Sequence, residues 1–237
     1  MRKAKTTIVM NIRHLGLIVL LMWGAYWSIA QTLKQLISPA LISQATASYG
    51  AQIEPVLLSW GQLVVSSQDQ QELNILTRIN DYFNSEVKFI SDQQHWQQED
   101  YWATPLESLG TKGGDCEDFV VAKYFSLIQA GIDQNKLRIT YVKSLKLNQA
   151  HMVLAYYAKP KSEPLILDNL IPQIRKASKR RDLAPVYSFN GAGMWLERMS
   201  GNSIRVGDAN GLDMWTDVLQ RMNEQGLGSW LNLKDHN

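Results

Sequence analysis

The sequence predicts an α+β fold in which helices pack on an antiparallel sheet. Apolar residues recur at helical spacing through the first half of the chain. Beyond about residue 137 they fall into short β-branched or aromatic runs bounded by polar or proline-containing turns. With 45% of 237 residues hydrophobic and 19% charged, the chain has ample material for a core, which excludes disorder as its main state. Its single cysteine excludes an internal disulfide framework.

The first segment reads as an export signal. Arg2, Lys3, Lys5 and Arg13 precede an uncharged, mainly apolar run over 15–30 that ends in Ser28-Ile29-Ala30, the small-x-Ala form a signal peptidase accepts. The run is shorter than the roughly 20 apolar residues of a membrane span. Residues 1–30 are therefore expected to be a cleaved signal peptide, with an uncleaved anchor as the alternative and a mature start near Gln31. The formal charge of +2 owes its sign to those four cations, so the body of the chain is slightly acidic and lacks the footprint of a nucleic-acid binder.

Residues 31–52, rich in Gln, Ser, Ala and Thr, read as a linker or lead-in, with the ordered domain spanning 53–230. Ile53, Val56, Leu57, Trp60, Leu63 and Val64 mark a first helix. Ser66-Ser67 offers caps for a second, with Leu73, Leu76, Ile79 and Phe83 on one side. Residues 100–111 read as a loop closing at Gly113-Gly114. A third helix then carries Phe119, Val120, Tyr124, Leu127 and Ile128, is apolar on most of its surface, and ends at Gly131. Strands are expected over 137–142, 152–157 and 165–167. Two glycine-rich loops (191–193 and 201–211) and a last amphipathic helix through Trp215, Val218, Leu219 and Met222 close the chain.

Cys116 falls in the first turn of the central helix, where free backbone N–H groups and the helix dipole favour a thiolate, although a lone cysteine also serves as buried packing. A hairpin centred on Lys159-Pro160-Lys161 sets His151 opposite Asp168. A thiol at a helix start facing a histidine oriented by an acid is the nucleophile, base and orienter set of thiol acyl transfer. Asp115, Glu117 and Asp118 crowd the thiol with charge that opposes thiolate formation. Two readings explain them: N-terminal capping of the helix, or a hard cation such as calcium or magnesium. Zinc is disfavoured because His14, His95 and His236 do not lie at ligand spacing. The cations of 175–181 read as a solvated loop or a surface for an acidic partner.

Taken together, Gly113-Gly114-Asp115-Cys116-Glu117-Asp118-Phe119, the block 147–154 around His151, Leu167-Asp168-Asn169-Leu170, Tyr101-Trp102-Ala103-Thr104-Pro105 upstream and 185–191 downstream resemble the bacterial transglutaminase-like cysteine proteinases over about residues 50–225. The resemblance implies a papain-like, transglutaminase-like fold with Cys116 as nucleophile, His151 as base and then acid, and Asp168 as orienter. It also implies calcium (Ca2+) bound by Asp115 and Glu117, with Asp118 beside them. The oxyanion would meet the Cys116 backbone N–H and one further donor, for which the Trp102 indole is a candidate beside its packing role. The activity implied is periplasmic cleavage of the N-terminal region of a large surface adhesin, promoting biofilm dispersal. An inner-membrane cyclic-di-GMP receptor of the LapD type would exert control, and membrane contact would come only through the N-terminal segment or that receptor. Transglutaminase-type acyl transfer and a non-catalytic binding module are the alternatives.

Overall fold

The computed structural model describes residues 31–197 and 203–231, so the expected signal peptide lies outside the described residues. Ordered structure begins earlier than Ile53. Helix α1 (Pro39–Tyr49) starts at Ser38, whose hydroxyl accepts the Leu41 amide at 3.1 Å, and proline occupies its first turn. Leu36, Ile37, Leu41 and Ala45 are all buried. The polar composition of 31–52 masked this short apolar stripe and its capping serine. Gly61 lets the lead-in dock closely, since a Cβ there would stand 2.5 Å from Ile37 Cγ1.

Helices α2 (Ile53–Ser67) and α3 (Glu72–Glu86) bury Leu57, Trp60 and Val64, and Leu76, Ile79 and Phe83, as their spacing predicts. Two details differ. Ser67 lies inside α2 and donates to the Leu63 carbonyl at 2.7 Å, so α3 starts after Gln71 without a serine cap. Leu73 is more than half exposed, because the buried stripe of α3 begins at Ile75.

Strand β1 (Lys88–Phe89), the single turn α4 (Asp92–His95), helix α5 (Pro105–Thr111) and strand β2 (Gly113–Gly114) follow. Helix α5 corrects the loop expected over 100–111. Thr104-Pro105-x-Glu107 is a reciprocal capping box with proline in the first turn, a signal hidden by the shortness of the helix. β1 pairs with β2 in parallel. Both glycines of β2 are required by close approach: a Cβ at Gly113 would meet Ile90 Cδ1 at 2.8 Å, and one at Gly114 would meet Asp118 Oδ2 at 2.6 Å.

Helix α6 (Cys116–Gln129) is enclosed, with Val120, Val121, Tyr124, Phe125 and Leu127 all buried, and Gly131 turns the chain away at φ 100°. It lies on a seven-stranded antiparallel sheet of order β6-β5-β4-β3-β7-β8-β9: β3 (Leu137–Ser144), β4 (Gln149–Tyr156), β5 (Leu165–Leu167), β6 (Arg175–Lys176), β7 (Leu183–Asn190), β8 (Gly193–Glu197) and β9 (Ser203–Gly207). β9 occupies part of what the glycines of 201–211 suggested was loop. Helix α7 (Asp213–Met222) buries Trp215, Val218 and Met222 as expected. Among the described residues no helix is long and apolar enough to cross a membrane.

Aromatic packing joins the layers. Phe125 stacks on Trp215 with centroids 5.5 Å apart, and Trp60 stacks on Trp230 at 4.0 Å while its indole donates to Ser126 Oγ at 2.8 Å. Trp230 in turn donates to the Leu36 carbonyl at 3.1 Å, so the last described turn pins the lead-in. Trp60→Ala removes a fully buried ring shared by α2, α6 and the C-terminal segment. It is expected to destabilise the protein by about 3–5 kcal/mol, read as a lower urea midpoint with an unchanged slope. A loss below about 1 kcal/mol would contradict this packing role.

Candidate active site

Cys116 opens α6 directly after the N-cap Asp115, as predicted. Asp118, three residues on, reaches back: its Oδ2 accepts the Asp115 amide at 3.0 Å and its Oδ1 accepts the Ala103 amide at 2.6 Å. Asp118 thus caps the helix and anchors the 101–104 segment beside the thiol.

His151 and Asp168 meet. His151 Nε2 lies 2.8 Å from Asp168 Oδ1, with both residues buried. The expected register was displaced by two: β4 and β5 pair Leu154 with Leu167, which sets position 168 level with Val153 rather than His151. A shift of two keeps every side chain on its original face, so the two groups still meet as diagonal neighbours. With Nε2 engaged by Asp168, Nδ1 is the ring nitrogen left for chemistry.

The termination of β5 at Leu167 creates the thiol's seat. The ladder between β4 and β5 covers only Leu154–Tyr156, and the Met152 amide just beyond it lies beside the Cys116 sulfur. The backbone next to His151 therefore touches the nucleophile. The Cys116 thiol itself donates to Glu117 Oε2 at 2.9 Å.

Electrostatics at this helix start run against a thiolate. Burial, and then Glu117 and Asp115, push the Cys116 thiol far up. Burial followed by Glu117 raises Asp115 to about 8, burial raises Asp92 to about 6, and Glu117 and Asp118 are raised with them. Asp92, Asp115 and Asp118 place oxygens within 4.8 Å of one another, as do Asp92, Asp100 and Glu117, and the Cys116 sulfur lies within the same distance of oxygens of Asp115 and Glu117. Asp92 Oδ1 and Asp115 Oδ1 are buried with no hydrogen-bond partner among the described residues. An all-oxygen cluster with orphaned carboxylate oxygens fits a hard cation. Asp92 and Asp100 escaped sequence reasoning because they lie outside the 115–118 motif and only folding brings them to it.

Asp168 is held from both sides. Arg180 Nη2 donates to Asp168 Oδ2 at 2.7 Å and to Asp182 Oδ2 at 2.8 Å. Burial opposes ionisation of Asp168, yet bonds from His151, the Leu170 amide and Arg180 hold its carboxyl below the usual range. Arg180 is 2% exposed, which corrects the reading of 175–181 as wholly solvated. A buried guanidinium in a basic run has no sequence signature until its acidic partners are known. Behind Asp168, the fully buried Lys123 donates to Asn84 Oδ1 at 2.8 Å, Asn80 Oδ1 at 3.0 Å and the Asp168 carbonyl at 3.3 Å. Burial lowers its pKa to about 7, against the opposing pull of Asp168. Between pH of about 7 and the ordinary lysine value near 10.5, the unfolded chain holds a proton that the folded chain lacks, so stability rises with pH across that window. Urea titrations of wild type and Lys123→Met are expected to show a stability difference that widens in favour of wild type as pH rises through it. A constant difference would mean Lys123 titrates normally.

Trp102 is buried and stacks on Phe189 at 5.9 Å. Its indole N–H is spent on Asp100 Oδ1 at 3.1 Å, so the geometry assigns it packing and support of the acidic cluster rather than an oxyanion contact. Arg221 fastens the same segment, donating to the Trp102 carbonyl at 2.6 Å and to Tyr101 Oη at 2.9 Å.

The family model for the bacterial transglutaminase-like cysteine proteinases matches residues 61–184, which include Cys116, His151 and Asp168. The chain belongs to this family. It is a cysteine peptidase, and its fold is that of a transglutaminase-like cysteine protease. Solved structures similar to it include Legionella pneumophila LapG treated with EGTA, at 42% identity and TM-score 0.68 over 77% of this chain and 95% of that one. The calcium-bound form of the same Legionella protein matches at 41% identity and TM-score 0.66, over 76% and 97%. None of the curated proteins compared with the chain matches it.

Proposed function

We propose that this peptidase is a calcium-supported periplasmic endopeptidase of the LapG kind, which cuts the N-terminal region of a large surface adhesin and so promotes biofilm dispersal. The observation that carries the reading is the buried His151–Asp168 pair, with His151 on the strand packed against the helix that Cys116 opens, where the thiol sits among carboxylates with no salt-bridge partner among the described residues. The likeness to LapG, solved both calcium-bound and EGTA-treated, supports calcium at that ring. Control by an inner-membrane cyclic-di-GMP receptor, and export through residues 1–30, belong to the same proposal.

In this reading Asp115 and Glu117, with Asp92, Asp100 and Asp118 around them, hold the ion. When bound it supplies positive charge that offsets the carboxylates and stiffens the helix start. The chain's own groups perform the reaction. His151 takes the Cys116 proton, the resulting thiolate attacks the scissile carbonyl, and the Cys116 backbone N–H faces the developing oxyanion. His151 protonates the departing amine, then takes a proton from water as the hydroxide cleaves the thioester and frees Cys116. Asp168, fixed by Arg180, keeps the imidazole oriented.

The test incubates the purified protein with the N-terminal region of a surface adhesin from the same organism, with calcium and with EGTA, and reads product masses. Two fragments whose masses sum to the substrate plus one water, formed only with calcium, are the expected result. Cross-linked products would point to acyl transfer to amines, and an uncut substrate would overturn the adhesin assignment.

A further inference from the structure

The sheet carries a cavity of about 510 Å³ whose lining includes none of Cys116, His151 or Asp168. Its floor is apolar: Val142 of β3, Val153 and Ala155 of β4, Ile166 of β5 and Leu183 of β7 form a small cluster separate from the main core. Its wall contains Arg180. A guanidinium carries five N–H donors. Nε donates to Asp182 Oδ1 at 3.0 Å and Nη2 to Asp182 and Asp168, whereas Nη1 is buried with no partner among the described residues. Buried donors without an acceptor are exceptions in folded proteins, and Arg180 itself lines a roomy apolar cavity.

The remaining charges define what fits. Exposed Lys161 and Arg181 line the cavity. Of the lining acids, Glu163 already accepts the Ser178 amide at 2.7 Å and Glu197 pairs with Arg138 at 3.2 Å. A negative group is therefore favoured over a neutral one. Asp168 and Asp182 already balance Arg180, however, so a multiply charged phosphate is disfavoured. We infer that this pocket binds an apolar monocarboxylate, its carboxylate toward Lys161 and Arg181 on the Arg180 side of the cavity and its body on the Val153–Ala155–Ile166 floor. The inference rests on this face of the sheet and stands whether or not the adhesin reading does.

The test uses the full chain carrying Cys116→Ala, so that no cleavage chemistry enters, and 4-phenylbutyrate as the probe in isothermal titration, with 4-phenylbutanol and inorganic phosphate as comparisons. Saturable one-to-one binding of the carboxylate is expected, at least about tenfold tighter than the alcohol. Ala155→Leu, which fills the floor, is expected to abolish it. Lys161→Gln with Arg181→Gln, both exposed and safe for folding, is expected to weaken it about tenfold. Absence of binding, equal binding of the alcohol, or tighter binding of phosphate overturns the inference. So does undiminished binding in the double variant, which stays informative if Ala155→Leu fails to fold.

Discussion

Cys116→Ala is expected to reduce peptide hydrolysis to background, a loss of at least about 10⁴-fold, while the circular dichroism spectrum and melting temperature stay close to those of wild type. The size of the loss follows from the chemistry: without the sulfur no acyl-enzyme forms, and His151 has no nucleophile to serve. The fold should tolerate the change because Cys116 is a partly exposed first-turn residue at the edge of the main core, and the cap at that turn is made by Asp118. Retained cleavage in a folded variant would refute Cys116 as nucleophile. His151→Ala belongs to the same experiment and should fall by a comparable factor, since residues that act as one unit do not contribute additively.

Removal of calcium is expected to have the second largest effect, on two readouts that need no substrate. With the ion absent, burial raises the cost of ionising the thiol, and the negative charge of Glu117 and Asp115 adds to it. Chelation should therefore slow alkylation of Cys116 by iodoacetamide at neutral pH by about tenfold or more. It should also lower the melting temperature, because a cation that binds only the folded cluster stabilises by mass action. Asp92→Asn is the informative variant: Asp92 does not flank the cysteine in sequence, yet its Oδ1 lies in the acidic cluster without a hydrogen-bond partner among the described residues. It should weaken the calcium response of both readouts. An alkylation rate indifferent to calcium would remove the ion from the thiol's environment and favour simple capping by the acids.

Much of the candidate site could be read from the chain because it rests on local rules. The Gly-Gly-Asp-Cys segment announces a helix start. The run Val120–Leu127, apolar apart from Lys123 and Ser126, announces an enclosed helix, and the turn at Lys159–Lys161 announces a hairpin that brings His151 toward Asp168. Even the displaced register left the pairing correct, because strand side chains repeat every two residues and the shift was two. The misreadings have equally local causes. The polar composition of 31–52 hid Leu41 and Ala45, and helix α5 was too short for its periodicity to show, although Thr104 and Glu107 formed its capping box.

Neighbours a few residues apart set the helical and stranded halves, the thiol at a helix start and the acids around it, so these are written locally in the chain. Which distant groups complete them is fixed only once the chain has folded. Asp92 and Asp100 join the acidic cluster, and Arg180 and Lys123 grip Asp168 from opposite sides. The Trp102 indole turns to Asp100. The physical reason is that a buried charge is tolerated only beside its partner, and partners tens of residues apart are chosen by how α6 lies on the sheet and where β5 stops, which no local pattern encodes.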